Sequence, residues 1–291
     1  SQEFREKMNA MGKLPSSANS INFGRLAPQI VYYFNAYMQL VQKHAIRMGQ
    51  SVNFVVPTGN FGDILAGYYA KRMGLPVGKL ICASNRNDVL TDFLRTGVYD
   101  RNRPFHCTMS PSMDILVSSN LERLLYFLSG DSALVSSLMA DLDRQSYYQL
   151  PPALLEKAQA KFFAGYCDDA ATVETISQVW QQHHYLMDTH TAVAWNVAQQ
   201  YKAQTPDHAP VVVLSTASPY KFPAAVMEAL GLPSTGDQFQ AMEDIQRSTG
   251  VPMPANLQGL RQRPRLHFDC VTPEGMENYV IEKGAEASWK K

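Results

Sequence analysis

One stretch decides the fold, Ser51–Arg72, with the sequence SVNFVVPTGNFGDILAGYYAKR. Its first part, Val52 to Val56, is a short apolar run rich in β-branched residues that Pro57 closes, which predicts a buried strand. Apolar residues then recur at helical spacing from Ile64 to Tyr69. The loop Thr58–Gly62 therefore joins the end of a strand to the beginning of a helix.

This loop carries two glycines, Gly59 and Gly62, which let the backbone turn tightly and let amide groups converge. The first turn of the helix adds unpaired N–H groups and the positive end of the helix dipole. Together they predict an anion site, most naturally for a phosphate, to which Thr58 and Asn60 can add side-chain donors. An ordinary turn with an Asx-type cap explains the same residues, since the loop is neither a Walker loop nor a dinucleotide fingerprint.

The composition is that of a globular chain, with 45% hydrophobic and 18% charged residues among 291. Lys plus Arg and Asp plus Glu are 26 each, which argues against nucleic acid and anionic membranes as partners and favours small molecules or another subunit. The cysteines lie far apart without metal-type spacing and indicate reduced thiols of a cytosolic protein, most of them in apolar surroundings: Cys82, Cys107, Cys167 and Cys270. The oligomeric state is left open.

The order of elements predicts an α/β fold with an open, mostly parallel sheet flanked by helices. A helix is expected from Arg25 to about Met48, and strands and helices then alternate up to residue 97. Residues 98–165 are expected to form a mostly helical insertion, which includes a helix from Met113 to Ser129 and a strand from Phe162 to Tyr166. Residues 166–232 resume the α/β domain begun in 1–97, and 233–291 form a carboxyl-terminal extension ending in a mobile tail, GAEASWKK.

Three polar segments follow predicted strands: Thr58–Gly62, Ser84–Asn87 and Ser215–Ser218. Because ligands bind beyond the carboxyl ends of strands in open α/β sheets, these segments can line one crevice. For Ser84–Asn87 an ordinary loop facing solvent is the favoured interpretation.

Together these motifs resemble threonine synthase in their order and approximate spacing. They are NSIN at Asn19–Asn22 with Arg25, PTGNFGD at Pro57–Asp63, SNRND at Ser84–Asp88, PSMD at Pro111–Asp114, DTHTAVA at Asp188–Ala194 and STASPYKF at Ser215–Phe222. The resemblance implies a fold-type II, tryptophan synthase β-like enzyme dependent on pyridoxal 5'-phosphate (PLP). It would convert O-phospho-L-homoserine and water to L-threonine and phosphate in the cytoplasm.

The resemblance also implies roles for single residues. Gly59, Asn60, Phe61 and Gly62 would hold the cofactor phosphate, and Thr216 would lie beside the pyridine nitrogen. The substrate phosphate would lie near Asn19, Ser20, Asn22 and Arg25, of which Arg25 is chemically suited to a dianion. His190 is expected to have a structural or capping role.

Two departures from the family pattern stand out. Ser218 occupies the position where many members have His, and the Phe-Lys-Asp motif of the Schiff-base lysine is absent from this sequence. The amino end, SQEFREKMNAMGKLPSS, resembles the middle of a longer chain. The chain is therefore expected to be a carboxyl-terminal portion, without a catalytic residue of its own, that needs the missing amino-terminal portion for turnover.

Two other interpretations stay open. One is another fold-type II lyase, such as a serine or threonine dehydratase or a β-replacement synthase. The other is a non-catalytic protein that retains a site for a phosphate ligand.

Overall fold

The structure is a computed structural model that describes residues 2–16, 18–234 and 236–286. The chain divides into two units. The larger is Ser20–Ala255, and the smaller combines Ser1–Asn19 with Asn256–Lys291. No helix among the described residues is long and apolar enough to span a membrane.

The larger unit is built around a parallel sheet of four strands in the order β5-β2-β1-β6. A separate antiparallel ribbon pairs β3 with β4. The strands are β1 (Val52–Pro57), β2 (Val77–Ser84), β3 (Val98–Asp100), β4 (Tyr147–Gln149), β5 (Phe162–Tyr166) and β6 (Val211–Val213). The predicted parallel sheet is thus confirmed.

Twelve helices are found among the described residues, not counting short 3-10 turns. They are α1 (Gln2–Ala10), α2 (Phe23–Gln42), α3 (Gly62–Arg72), α4 (Val89–Thr96), α5 (Leu121–Ser129), α6 (Ser132–Gln145), α7 (Pro152–Gln159), α8 (Asp169–His183), α9 (Thr189–Gln204), α10 (Pro223–Ala229), α11 (Gln238–Thr249) and α12 (Met276–Glu286).

Helices cover both faces of the sheet, because successive strand side chains point in opposite directions. On one face, Phe54 and Val56 of β1 belong to a core cluster that includes residues of α2, α3 and α4. On the other face, Val55 packs in a second cluster with Val193 and Val197 of α9. Every residue of β1 is buried. The carboxyl edge of a sheet enclosed in this way is a rigid base for a binding loop.

In the smaller unit, α1 and α12 pack against each other. Met8 of α1 is buried, and its Cε lies 3.4 Å from where a Cβ on Gly284 would be. The tail predicted as mobile lies outside the described residues from position 287 onward, whereas residues 284–286 end α12.

Helix α2 ends at Gln42, so the prediction that it continues to about Met48 is wrong. Lys43 caps the helix, and His44 has a φ of 56°, in the left-handed region that ends a helical path. The Tyr37 hydroxyl then holds the turn, since it accepts from the Gly49 amide (2.9 Å) and donates to the Gln50 carbonyl (3.1 Å).

The segment between residues 98 and 165 differs from the prediction in several places. A single 3-10 turn covers Pro111–Met113, and α5 begins only at Leu121, so the helix predicted from Met113 is wrong in its first half. Neither strand of the ribbon, β3 or β4, was predicted. The predicted strand Phe162–Tyr166 exists as β5, but it pairs with β2 in the main sheet. The boundaries at 97, 165 and 232 stay predictions.

All four cysteines are free, and burial divides them into two pairs. Burial raises the pKa of the Cys82 thiol to about 12 and that of Cys167 to about 11. Cys107 and Cys270 are exposed, so the expectation that most of these thiols lie in apolar surroundings is wrong. The cytosolic setting expected from them stays a prediction.

Candidate functional site

The loop between β1 and α3 lies at the carboxyl edge of the sheet. The Thr58 amide donates to the Ala83 carbonyl (2.8 Å), which ties the loop to the neighbouring strand β2. The Thr58 hydroxyl donates to the carbonyl of Val56 (2.7 Å). Its proton is therefore committed to the backbone, and the prediction that Thr58 adds a side-chain donor for an anion is wrong.

Helix α3 begins without a polar cap. Its N-cap residue is Phe61, with a φ of 60° in the left-handed region, and no side chain caps the first turn among the described residues. The alternative of an ordinary turn with an Asx-type cap is therefore wrong here. The first-turn N–H groups, with the positive helix end, remain suited to an anion.

The two glycines of the loop meet different surroundings. A Cβ on Gly59 would lie 2.9 Å from the Ser112 carbonyl oxygen, which is closer than side chains approach backbone, whereas one on Gly62 would lie 3.5 Å from the Asn120 amide nitrogen. Gly59 is thus required by protein packing alone. Gly62 is not, so its missing side chain leaves room beside the helix start.

A cavity of about 210 Å³ opens at this helix start. Seven of the predicted site residues line it: Ser20, Arg25, Gly59, Asn60, Phe61, Gly62 and Thr216. Two of the three polar strand ends, at Thr58–Gly62 and Ser215–Ser218, thus reach one cavity. Such a space, with a few convergent polar groups, is typical of a binding site for a small ligand.

The other two predicted substrate residues are placed differently. The Asn22 side chain accepts from the Gly24 amide (2.8 Å) and so caps the start of α2. Asn19 is exposed and belongs to the smaller unit. Contact between these two side chains and a substrate phosphate stays a prediction.

Helix α2 presents a row of polar side chains, spaced by four residues, to the start of α3. Arg25 and Gln29 line the cavity, and the Tyr33 hydroxyl donates to the Asp63 carbonyl (2.8 Å) and carboxylate (3.1 Å). Gln29 was not predicted, although its spacing from Arg25 places both residues on one helix face.

Asp63 lies in the first turn of α3 and also lines the cavity. Burial raises the pKa of its carboxyl to about 6, against the opposing effect of the hydrogen bond from Tyr33. Burial is the main cause that raises the pKa of Tyr33 well above its ordinary value, and the negative charge of Asp63 is the second cause.

The wall segment, residues 105–118, closes one side of the cavity with Ser112 and Met113. A buried amide holds it, because Asn85 Nδ2 donates to Asp114 Oδ1 (2.7 Å) and to the Ser110 hydroxyl (3.0 Å). Asn87 Nδ2 donates to the same Asp114 oxygen (3.0 Å). Asn85 and Asn87 are 1% and 4% exposed, so the interpretation of Ser84–Asn87 as a loop facing solvent is wrong.

His190 supports the same wall from α9. Its Nε2 accepts from the Ser112 amide (3.2 Å), and its Nδ1 lies 3.2 Å from Asp188 Oδ1. Asp188 caps α9 by accepting from the amides of His190 and Thr191. The ring is 3% exposed and held on both nitrogens, which agrees with the structural role expected for it.

Comparisons with known proteins give a consistent result. Residues 191–272, which include Thr216, match the family model for the carboxyl-terminal region of threonine synthase. The PLP-bound crystal structure of threonine synthase from Brucella melitensis superimposes with a TM-score of 0.81 at 38% identity. It matches over 97% of this chain and 55% of its own. The chain belongs to the threonine synthase family.

Among the sequence relatives, threonine synthase from Saccharomyces cerevisiae is 38% identical over 79% of this chain, and the match covers 46% of the yeast protein. Threonine synthase-like 1 from Macaca fascicularis is 48% identical over 94% of the chain, which covers 37% of that protein. The chain thus spans less than half the length of these two relatives. It corresponds to the carboxyl-terminal portion of the threonine synthase family.

No lysine among the described residues lines the threonine synthase-like cavity. Lys71 and Lys79 are half-buried and donate to backbone carbonyls, the former to Val77 (2.6 Å) and the latter to Gln159 (2.7 Å). Burial lowers the pKa of both. Lys221 instead lies 5.3 Å from the centre of the Phe222 ring. Lys79 belongs to β2.

The last segment of the site follows β6. Thr216 is exposed on the cavity. Ser218, at the position of the family His, accepts from the Tyr220 amide (3.3 Å) and caps a short 3-10 turn. A local backbone role therefore explains the serine at this position.

Proposed function

We propose that this chain forms the phosphate-binding part of a PLP-dependent threonine synthase, which converts O-phospho-L-homoserine and water to L-threonine and phosphate. One observation carries the proposal. The cavity joins the Gly59–Gly62 loop and the uncapped start of α3 to Arg25 and Thr216. These are the groups that a phosphorylated cofactor and a phosphorylated substrate need.

The residues present fit the phosphate of the cofactor. Backbone N–H groups at the start of α3 would bind its oxygens, and Gly62 leaves space for their approach. Thr216 would orient the pyridine ring through its hydroxyl. Because a hydroxyl is a neutral partner, it leaves the ring nitrogen unprotonated. When bound, PLP would supply an electron sink for charge that develops on the substrate.

Arg25 would bind the second phosphate, that of the substrate. Its guanidinium carries a permanent charge and a planar set of donors that matches two phosphate oxygens. Holding the ester oxygen in this way stabilises the charge that develops as phosphate leaves. Arg25 is also what separates this proposal from a dehydratase, whose substrate carries no phosphate.

The amine that binds the cofactor aldehyde would come from the amino-terminal portion of the same enzyme. The proposal rests here on the positions of the described lysines, of which none lines the cavity. The chain alone would then bind PLP without turnover. The same observation favours a second candidate function, a non-catalytic protein that binds a phosphate ligand.

An absorbance titration with PLP tests the proposal, with pyridoxal, which lacks the phosphate, as the matched control ligand. We expect PLP to bind at least about tenfold more tightly than pyridoxal, because charge-assisted hydrogen bonds to the phosphate contribute more than neutral ones. Borohydride reduction followed by peptide mapping is expected to label no lysine stoichiometrically.

Equal affinity for the two ligands would contradict the phosphate site. Stoichiometric labelling of one lysine would contradict the proposal that the amine comes from the amino-terminal portion. Adding the complete amino-terminal portion and measuring phosphate release from O-phospho-L-homoserine then separates the two candidate functions, since only the enzyme gains turnover.

A further inference from the structure

Among the described residues that line the cavity, Gln29 alone has a buried side-chain nitrogen or oxygen without a hydrogen bond. Its carboxamide oxygen, Oε1, is shielded from water and has no partner within the described part of the chain. Buried polar side-chain atoms are nearly always paired, so an unpaired oxygen beside a cavity calls for an explanation.

Tyr33, a donor on the same helix face, is already engaged. Tyr33 lies one turn further along α2, and its hydroxyl donates to the Asp63 carbonyl and carboxylate. One turn in the other direction, Arg25 is exposed on the cavity. Gln29 thus lies between Arg25, whose positive charge suits an anion, and Tyr33, which is hydrogen-bonded to Asp63.

The carboxamide of Gln29 can turn toward the cavity at low cost. The last torsion of a glutamine side chain is broad, without the sharp minima of the earlier ones. An oxygen that lacks a partner gains a full hydrogen bond when a donor arrives, because its desolvation has already occurred.

We propose that Gln29 is a ligand-binding residue of this cavity, whose Oε1 accepts a hydrogen bond from an N–H or O–H group that the ligand carries beside its phosphate. This inference rests on the proposed function and extends it. The site then selects a phosphate ester that carries an ammonium or hydroxyl group over a bare anion. Arg25 and the start of α3 supply affinity for the anion, and Gln29 supplies the discrimination.

The substitution Gln29→Met tests the inference, since methionine has a similar length and helix propensity but no acceptor of comparable strength. Gln39→Met is the matched control, because Gln39 is exposed on the same helix and does not line the cavity. The probes are O-phospho-L-homoserine, which carries an ammonium group, and sulfate, which carries no donor at neutral pH. Affinities are measured by calorimetry on the full chain.

Gln29→Met is expected to weaken binding of O-phospho-L-homoserine about tenfold, the loss of one hydrogen bond, and to change sulfate affinity less than twofold. It is also expected to keep or raise the unfolding midpoint of the ligand-free chain, because it removes an unpaired buried oxygen. Gln39→Met is expected to change neither affinity.

Equal losses for both probes, or no loss for either, would overturn the role of Gln29 while leaving the phosphate site intact. A lower unfolding midpoint without any change in affinity would overturn it as well, by assigning Gln29 to packing. If the unsubstituted chain binds neither O-phospho-L-homoserine nor PLP, the proposed function fails together with the inference.

Discussion

Asp63 places an acidic group at the helix start that is proposed to bind an anion. Burial raises the pKa of this carboxyl from 3.8 to about 6, so the folded chain binds the proton more tightly than the unfolded chain does. The contribution of Asp63 to stability is therefore fully present below about pH 4 and is lost as the pH rises through about 6.

Asp63→Asn is expected to remove this dependence while keeping an oxygen that accepts from Tyr33. The variant should be about 2 kcal/mol more stable than the unsubstituted chain at pH 8 and equal to it at pH 4. Urea unfolding at both pH values measures this. Asp131→Asn serves as the control, because Asp131 caps α6 from an exposed position and Asn caps equally well. A gain in stability at pH 4 as large as that at pH 8 would refute the assignment.

Alanine substitutions at Gly59 and Gly62 are expected to have different effects, although both residues lie in one loop. Gly59→Ala is expected to lower the free energy of unfolding by about 1–3 kcal/mol, because the new methyl group meets the Ser112 carbonyl at 2.9 Å. Gly62→Ala is expected to leave stability unchanged, since its nearest neighbour lies at 3.5 Å. It should nevertheless weaken PLP binding at least about tenfold, because the methyl group occupies the space beside the helix N–H groups.

Urea unfolding and the PLP titration measure the two effects separately. A Gly62→Ala chain that binds PLP as tightly as the unsubstituted chain would show that the phosphate lies elsewhere. A Gly59→Ala chain of unchanged stability would show that the backbone of the wall segment moves away at Ser112 with little cost in free energy.

At the scale of elements, one carboxylate of the wall segment collects several hydrogen bonds. Asp114 Oδ1 accepts from Asn85, Asn87 and the Thr108 hydroxyl, and its Oδ2 accepts from the Thr108 amide (2.9 Å). The network joins β2 and the loop after it to the wall of the cavity, although Asn85 and Asp114 lie 29 positions apart in sequence.

Asp114→Ala is expected to lower the free energy of unfolding by about 3 kcal/mol, because it removes the acceptor that the Asn85 and Asn87 amides share with the amide and hydroxyl of Thr108. Asp143→Ala, at an exposed position of α6, is the control and should change stability by less than about 0.5 kcal/mol. Urea unfolding of the two variants side by side decides the matter. A loss below 1 kcal/mol for Asp114→Ala would mean that water replaces the carboxylate.

The elements around the site show what local sequence can predict. β1, its loop and α3 were predicted because an apolar run, two glycines and helical spacing are adjacent in the chain. The end of α2 was missed because apolar spacing continues to Met48, whereas the backbone turns at His44. The sequence also located β5 but not its pairing with β2, since strand pairing joins residues far apart, such as Leu80 and Phe162.

The site was predicted only in part, because local motifs are visible in the sequence and contacts between distant residues are not. Motif residues such as Arg25 and Thr216 were identified, and the structure brings both to one cavity. The buried network of Asn85 and Asp114 was missed, because a sequence does not show which polar side chains find partners. Gln29 was missed because what distinguishes it is a buried side-chain oxygen without a hydrogen bond, which the sequence does not show either.

At the scale of the whole molecule, the two units contribute very unequally to the apolar core. Every buried hydrophobic residue among the described positions lies in Ser20–Ala255 except Met8. The larger unit also contains the complete parallel sheet and all the residues that line the cavity. Since burial of apolar surface dominates folding free energy, the larger unit has what it needs to fold by itself.

A chain restricted to residues 20–255 is therefore expected to keep the near-ultraviolet circular dichroism of its buried tyrosines, which include Tyr33, Tyr99 and Tyr148. Its urea midpoint should lie within about 0.5 M of the full chain, since a midpoint follows the ratio of folding free energy to exposed surface. PLP affinity should also be kept, because the described residues that line the cavity all belong to Ser20–Ala255. Loss of the near-ultraviolet signal with retained helical signal would contradict this, because it would mean that residues 20–255 do not pack their core without the rest of the chain.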